Sequence, residues 1–414
     1  MKTRLRAEAA TPAVPPGEPG LIAGVTRNVF LLSVTSFFAD ISGEMVYPLV
    51  PIFLTTVLGA PVAAVGLIEG LAESTASIVK IFSGWWSDRV GRRLPLVVAG
   101  YGLGAFGKLL LAVAFGWPVV LLARFVDRFG KGFRGSPRDA LIAESAPADQ
   151  RGRAFGFHRS LDTAGAVIGP LLGLVLVAFL HNRLRLVFAL AVVPGFLSLF
   201  ALARVKATRR AEQPGNARPP ALSVRGFDQR LQLFLLASLV FSLGNSSDVF
   251  LVLRAKNLGL STTAAVLAYA LYNFVYMGAS LPAGIISDRR GRRVVFIAGL
   301  IVFALVYAGL AMANRGFQVW PLFAVYGLYI ALTDGVGKAL ITDLAPAERR
   351  ATALGAYGML TGIAALLASV VAGLLWDRIN PAAPFVLGAA SAVLGILLLL
   401  ASVSGRPRTG QMAL

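Results

Sequence analysis

A row of ionised side chains inside an apolar segment is the strongest chemical signal in this 414-residue sequence. Its members follow one another at intervals of three, four and seven residues, which place side chains on one face of an α-helix. They are Arg124, Asp127, Arg128, Lys131, Arg134 and Arg138. Guanidinium, ammonium and carboxylate groups on one face can pair with one another, bind a charged solute or exchange protons. The row therefore predicts a site that handles charge rather than a wholly apolar pocket.

Further carboxylates occur as two pairs with helical spacing. Asp40 and Glu44 are four residues apart, and so are Glu69 and Glu73. Each pair therefore lies on one helix face. Together with Asp139 and the charged row, these residues form the predicted set for proton coupling and translocation.

Carboxyl groups near mid-membrane are the predicted coupling groups. An apolar cavity disfavours the charged form of a carboxyl group, whereas a neighbouring Arg favours it. A motion that makes or breaks an Asp–Arg contact therefore takes up or releases a proton. We expect the proton switch to be one of three acids, Asp40, Glu44 or Asp127. Its expected counter-charge is Arg124 or Arg128.

The composition places these charges in a membrane. Apolar residues make up 57% of the chain and charged residues 14%, where soluble domains have about 45–50% and about 25%. Twelve apolar runs each reach the roughly 20 residues that a helix needs to cross the hydrocarbon layer. They cover 28–58, 62–83, 94–115, 118–143, 153–180, 184–203, 230–258, 262–285, 294–313, 317–343, 351–376 and 382–404.

Ionised groups inside such helices must avoid lipid. A charge at the centre of a membrane helix costs about 2.5–3.5 kcal/mol, so the charged face of the fourth run must line a cavity or an interface. The first six runs hold as many acids as cations, and these could pair internally. The cations are Lys80, Lys108, Arg124, Arg128, Lys131, Arg134, Arg138 and Arg159, and the acids are Asp40, Glu44, Glu69, Glu73, Asp127, Asp139, Glu144 and Asp162.

The distribution of basic residues predicts the topology. The formal net charge is +19, and a chain with twelve spans has both termini on one side of the membrane. The segments on that side hold about 24 Lys and Arg residues and the opposite loops about six, which is the asymmetry of the positive-inside rule. This explains the excess charge without a nucleic-acid partner. We expect an integral protein of the plasma (cell inner) membrane with both termini in the cytoplasm.

The sequence divides into two similar halves. GWWSDRVGRR at 84–93 recurs as GIISDRRGRR at 284–293, and ALIAESAPADQR at 140–151 recurs as ALITDLAPAERR at 339–350. Six spans per half keep both copies in the same orientation, as in carriers whose halves rock about a central site. The predicted units are a cytoplasmic tail, a six-helix bundle, a cytoplasmic linker, a second six-helix bundle and a second tail, at 1–27, 28–203, 204–229, 230–404 and 405–414.

These motifs resemble those of the major facilitator superfamily over essentially the whole chain. The family's loop motif G-x-x-x-D-R-x-G-R-R is matched twice, at Gly84, Asp88, Arg89, Gly91, Arg92 and Arg93 and again at Gly284, Asp288, Arg289, Gly291, Arg292 and Arg293. The resemblance implies a gating latch that stabilises one of two rocking states, and a purely topogenic basic loop is the alternative. The glycines are expected to permit a tight turn between two helices.

A second family motif lies in the fifth run. It has the form G-x8-G-x3-G-P-x2-G and is matched at Gly156, Gly165, Gly169, Pro170 and Gly173. In the family this motif accompanies antiporters and exporters, which implies an export-type seal. Small residues at intervals of four also let helices approach closely in lipid, so ordinary helix packing is the alternative.

The second half carries fewer charges than the first. Its eighth run has a polar aromatic face that could contact a substrate or form hydrogen bonds between helices. The predicted substrate-cavity residues of this half are Asp248, Tyr269, Tyr272, Asn273, Tyr276, Asp334 and Lys338.

These features predict an all-α polytopic membrane protein with twelve transmembrane helices in two parallel six-helix bundles, the fold of the major facilitator superfamily. The predicted function is secondary active transport by alternating access, as proton-coupled export (antiport) of a small polar or charged solute. A proton-coupled importer of an organic anion is the main alternative. A polytopic enzyme acting on lipids, or a scaffold without flux, fits dispersed buried charges less well.

The expected partners are few. They are a small-molecule substrate, protons and the lipid bilayer, and the carrier is expected to work as a monomer. The chain contains no Cys and two His residues, so we expect neither a metal site nor a cofactor.

Overall fold

The computed structural model describes residues 25–90, 92–146, 151–206, 227–345 and 350–401. The predicted C-terminal tail, nearly all of the N-terminal tail and most of the linker lie outside this part of the chain. Gly91 and the side chains of Asp88 and Asp288 lie outside it as well.

Helices form twelve spans within the described residues, and the prediction of twelve transmembrane helices is confirmed. They are α1 (Arg27–Glu44), α2 (Val62–Val90), α3 (Arg93–Ala112), α4 (Trp117–Ser145), α5 (Arg151–Phe179), α6 (Leu184–Leu202), α7 (Gln229–Ser242), α8 (Thr262–Arg290), α9 (Arg292–Met312), α10 (Val319–Leu344), α11 (Arg350–Arg378) and α12 (Ala383–Ala401). Nine spans in the described part are long and apolar enough to cross a membrane. The remaining three are α4, which carries the charged row, and α7 and α8.

Two spans are interrupted at equivalent places. The first continues beyond α1 as short helical segments over 47–57, and the seventh continues beyond α7 as the helix Val249–Asn257. At each break, polar side chains and backbone groups outside regular helix face the other bundle. Non-helical backbone is tolerated at membrane depth where it is buried in protein or lines a cavity.

The helices form two six-helix bundles with the same packing pattern. In the first bundle, α1 packs against α5 and α6, α4 packs against α2 and α3, and α3 packs against α6. The same pairs recur in the second bundle, six helices later in the chain. There α7 packs against α11 and α12, α10 packs against α8 and α9, and α9 packs against α12. The prediction of two parallel six-helix bundles is therefore confirmed.

The turns between α2 and α3 and between α8 and α9 define one face of the protein, which we call the loop side; the other face is the far side. Gly84 and Gly284 were expected to permit these turns, but both lie inside helices, because α2 and α8 continue to Val90 and Arg290. In the second copy the turn is made by Gly291, whose φ of +93° strains any residue with a side chain.

Glycines set the distances between helices inside each bundle. A Cβ atom on Gly100 of α3 would lie 2.6 Å from the Cβ of Arg134 and 2.7 Å from the carbonyl oxygen of Gly130, both on α4. On the same helix, Gly102 has open space at its Cβ position. The close approach of α3 and α4 therefore depends on the absence of a side chain at Gly100, on the face of α3 that contacts α4.

The two bundles meet along α2 with α11 and along α5 with α8. On the far side, Cβ atoms on Gly70 and Gly373 would lie 2.9 Å and 2.7 Å from the carbonyl oxygens of Leu366 and Val62. The two interrupted spans also meet, because the Tyr47 hydroxyl lies 3.3 Å from that of Ser247. The described contacts thus hold the two bundles together on the far side, whereas toward the loop side Glu73, Arg159 and Asp334 keep part of their side chains exposed between them.

A carboxylate from one bundle caps a helix of the other at this far-side contact. The backbone N–H groups of Val62 and Ala63 donate to Asp377 over 3.2 Å and 2.7 Å. At the equivalent position of the second bundle, Ser261 accepts from Ala264 within its own helix. Because the first turn of a helix has free N–H groups, α2 depends on α11 for this cap, and opening on the far side must break it.

Loss of the contact glycine should destabilise the first bundle. We expect Gly100→Val to lower the melting temperature of the purified protein, because its side chain would overlap Gly130 and Arg134. Gly102→Val introduces the same residue into open space on the same helix and should leave the melting temperature nearly unchanged. Equal melting temperatures for the two variants would contradict this packing.

Loss of the far-side cap should favour opening on the far side. Phe250 is fully buried and lies near Gly66 of α2, so a Phe250→Cys background reports opening through its reaction with a water-soluble maleimide. We expect Asp377→Ala to increase the labelling rate. Asp228 caps α7 within its own bundle, so Asp228→Ala serves as the control; equal labelling in both variants would argue against a far-side latch.

Candidate functional site

The charged face of α4 is neutralised by carboxylates of neighbouring helices. At its centre, Arg124 donates from Nε and Nη2 to the two oxygens of Glu69 over 2.8 Å and 2.7 Å. The Glu69 side chain is fully buried and that of Arg124 is 6% exposed. A two-point guanidinium–carboxylate contact of this kind compensates both charges in a medium of low dielectric constant.

Two further ion pairs flank this one. Lys108 Nζ lies 2.9 Å from Asp127 Oδ1, and Arg124 approaches the other oxygen of Asp127 at 3.8 Å. Arg128 pairs with Glu73 at 3.2 Å, and the Glu73 side chain is 39% exposed. The sequence predicted Arg128 as counter-charge for Asp40, Glu44 or Asp127, whereas its ion-pair partner is Glu73.

An aromatic ring separates the charged row from the far side. The guanidinium groups of Arg124 and Arg128 lie 5.3 Å and 5.4 Å from the ring centre of Tyr47. Tyr47 belongs to the helical continuation of the first span. Cation–π contacts at these distances stabilise the two arginines further.

The loop-side end of the row is held by polar contacts. Arg138 pairs with Asp139 at 2.9 Å, approaches Asp162 at 3.9 Å and donates to Ser36 over 3.1 Å. Arg134 lies 4.2 Å from the ring centre of Tyr101. Most of the charged groups in the row are therefore engaged in contacts within the protein, and few of them are available to bind a solute.

Lys131 and Lys80 differ from the other cations of the first bundle. Both are exposed, and neither forms an ion pair with a described residue. The charge of Lys131 interacts with those of Asp40 and Glu73. Two ammonium groups therefore face the space between the bundles.

Two carboxyl groups meet between α1 and α5. The carboxyl groups of Asp40 and Asp162 lie close enough to interact with each other. The glycine stripe of α5 makes this possible: a Cβ on Gly165 would lie 3.1 Å from the Cβ of Asp40, and one on Gly169 would lie 2.7 Å from that of Glu44. The stripe continues to Gly173 and holds α5 directly against α1.

Tyrosine hydroxyls solvate the carboxylates near the far side. Tyr269 donates to Glu44 over 2.9 Å across the bundle interface. Asp248 accepts from Tyr272 over 2.8 Å and from Tyr326 over 2.6 Å. Glu44 and Asp248 lie at the breaks of the first and seventh spans and are half-buried.

Closer to the loop side, a second group spans the interface. Asp334 pairs with Lys338 at 2.6 Å and accepts from Tyr276 over 3.1 Å. Arg159 of the first bundle donates to the Tyr276 hydroxyl over 3.4 Å. Asn273 instead donates to the carbonyl oxygen of Tyr269 in its own helix.

The arginines of the repeated loop motif bind within their own bundles. Arg93 pairs with Glu144 at 2.5 Å, and in the second copy Arg292, the counterpart of Arg92, pairs with Asp343 at 2.8 Å. Each pair joins the loop-side end of one helix to that of the next. Arg89 lies 5.7 Å from the ring centre of Trp85. The latch predicted for Asp88 and Asp288 concerns side chains outside the described part.

Some important side chains were absent from the predicted sites. Tyr47 and Tyr326 were not selected, although each contacts a predicted residue. Arg159 and Asp162 were counted only as charges, and Lys108 was counted only as a possible ion-pair partner. The spacing of Arg159 and Asp162 on one helix face was the one available signal; nothing in the sequence marks the two tyrosines.

Two six-helix bundles that meet at charged side chains are the architecture of secondary transporters. The family model of the Major Facilitator Superfamily matches residues 32–265 and 233–412. The chain belongs to this superfamily, and it is an integral membrane transporter of a small-molecule substrate.

Relatives and solved structures agree with this assignment. An uncharacterized MFS-type transporter of Methanocaldococcus jannaschii is 37% identical over 91% of this chain and 95% of its own length. The multidrug resistance protein MdtH of Aeromonas hydrophila is 26% identical over 80% of this chain and 85% of its own. A peptide transporter POT has a similar fold, with a TM-score of 0.78 and 16% identity, over 93% of this chain and 96% of that one.

Removing the central carboxylate should destabilise the fold. In Glu69→Gln the buried Arg124 loses its two-point partner, and breaking a buried pair costs about 3–5 kcal/mol of unfolding free energy. We expect a clear drop in the melting temperature of the purified protein, measured by tryptophan fluorescence. Glu73→Gln breaks a more exposed pair on the same helix and should have a smaller effect; the reverse order would refute the central role of Glu69.

Proposed function

We propose that this carrier exports a small polar or charged solute in exchange for protons. It would work as a monomer in the plasma (cell inner) membrane, with both termini in the cytoplasm and with bundles 28–203 and 230–404 joined by a cytoplasmic linker. The observation that carries the proposal is the meeting of the Asp40 and Asp162 carboxyl groups between α1 and α5, which Gly165 holds together. Two neighbouring carboxyl groups favour binding of a proton, because two like charges at one place are unfavourable, and this is the chemistry of a proton carrier.

The surroundings of this pair supply a means of coupling. Arg138 approaches Asp162 at 3.9 Å, and Arg159 approaches the same carboxylate at 3.5 Å. Arg159 also contacts Tyr276 in the other bundle. Since a guanidinium favours the charged form of a carboxyl group, a motion that moves either arginine away would promote proton uptake, and its return would promote release.

Two observations support export. The glycine motif of α5 resembles that of antiporters and exporters and packs against the helix that carries Asp40. The relatives named MdtH are multidrug resistance proteins, although at 26% and 24% identity. The basic loop side would face the cytoplasm by the positive-inside rule, so the solute would enter from there.

The importer alternative rests on Lys80 and Lys131. Their exposed ammonium groups could attract an organic anion that enters together with a proton. Uptake of radiolabelled citrate into right-side-out vesicles, driven by an inward proton gradient, would favour this alternative over export.

Proton exchange should depend on the carboxyl pair. In everted membrane vesicles with an acidic lumen, we expect ethidium to collapse the proton gradient in the presence of the native carrier, as reported by acridine orange fluorescence. The double variant Asp40→Asn, Asp162→Asn should abolish this response, because it removes the carboxyl pair that is proposed to carry the exchanged proton. Asp343→Asn, which changes a carboxylate in a loop-side ion pair, should respond like the native protein. A full response in the double variant would refute the assignment.

A further inference from the structure

We infer that Glu44 and Asp248, with the rings of Tyr269, Tyr272 and Tyr326, form a binding site for an organic cation. This inference rests on the proposed function and names its substrate class. We call these five residues the tyrosine–carboxylate cluster. It lies where the first and seventh spans are interrupted, between the two bundles.

The charge balance of the cluster favours a cation. Glu69, Glu73 and Asp127 each have a basic partner within ion-pair distance. Among the described residues, Glu44 and Asp248 have none and accept hydrogen bonds only from neutral hydroxyls. Their charges are close enough to interact with each other. Unneutralised carboxylates are costly at membrane depth, so the cluster requires either protons or a cationic ligand.

The walls of the cluster have the chemistry of an organic cation site. The rings of Tyr269 and Tyr272 meet edge to face with centres 4.9 Å apart, and those of Tyr272 and Tyr326 do so at 5.4 Å. Aromatic faces attract cations and also cover the apolar groups of an alkylammonium or aryl cation. A small metal ion would make no use of these rings.

A further acceptor without a partner lies next to the cluster. In the break after α7, the buried Oδ1 of Asn245 has no hydrogen-bond partner among the described residues, and the Nδ2 of the same side chain donates to Tyr329 over 3.2 Å. Asn245 lies three positions before Asp248 in this break, and its Oδ1 is an acceptor that an ammonium N–H could satisfy.

The position of the cluster explains exchange. The two carboxylates belong to different bundles, so a bound cation would bridge them. Protons would neutralise the same two groups, and so a cation and protons would compete. Competition for shared carboxylates is the physical basis of antiport.

Binding of two probe cations, ethidium and tetraphenylphosphonium, to the purified full-length carrier tests the site. We expect both to bind the native protein, with an affinity that falls as the pH is lowered because protons occupy the carboxylates. Glu44→Gln and Asp248→Asn should each weaken binding by about tenfold or more, while Asp343→Asn should bind like the native protein. The pH titration of the native protein needs no variant and stands even if a variant fails to fold.

Three results would overturn the inference: no binding of either cation, native affinity in both carboxylate variants, or tighter binding at low pH. Binding of citrate in place of the cations would assign the carrier to anions instead. If the Asp40 and Asp162 double variant abolishes proton exchange while Glu44→Gln and Asp248→Asn leave cation binding intact, the proposed function stands and this site is wrong. If native vesicles show no proton exchange with any bound cation, the proposed function itself fails.

Discussion

Charge in a low-dielectric medium is the constraint on which this structure depends. The charged row of the fourth helix contains six ionised groups that lipid would not accept, so its neighbours must approach closely and bring compensating carboxylates. The pair between Arg124 and Glu69, almost completely shielded from solvent, shows the result most clearly. Glycines on α3, α4 and α5 allow these approaches, because a side chain at their positions would collide with the facing backbone. In this bundle, close helix packing is therefore what allows the buried charges to be compensated.

The division of labour between charged groups follows from their burial. Compensated groups deep in the first bundle keep its helices together, whereas two carboxylates at its inner surface have no ion-pair partner among the described residues. Asp40 lies beside Asp162, and Glu44 accepts a hydrogen bond from Tyr269 of the other bundle. In the proposed mechanism these inner groups change their charge while the bundle stays folded, as coupling between proton movement and rocking requires.

Much of the fold was predictable, and less of the site. The hydrophobic runs predicted twelve spans and the 200-residue repeat predicted two bundles, because both features depend only on the order of residues along the chain. The periodic row on α4 indicated an inward-facing charged stripe for the same reason. The ion-pair partner of each charge could not be predicted. Several helices offer an acid to Arg128, and only the three-dimensional packing selects Glu73. Tyr326 lies in an ordinary apolar helix, and its role depends on a contact with a residue 78 positions earlier. The positions of Gly84 and Gly284 were mistaken because helices α2 and α8 extend past the hydrophobic runs.

The most direct test of the account is whether the two bundles rock about the space between them in response to protons. The chain has no Cys, so spin labels can be attached at introduced cysteines alone. Val90→Cys with Val294→Cys reports on the loop side, and Phe115→Cys with Phe317→Cys reports on the far side. Pulsed electron paramagnetic resonance in acidic and alkaline buffer should show one distance increasing as the other decreases. Distances that stay constant, or that change in the same direction on both sides, would contradict alternating access by this carrier.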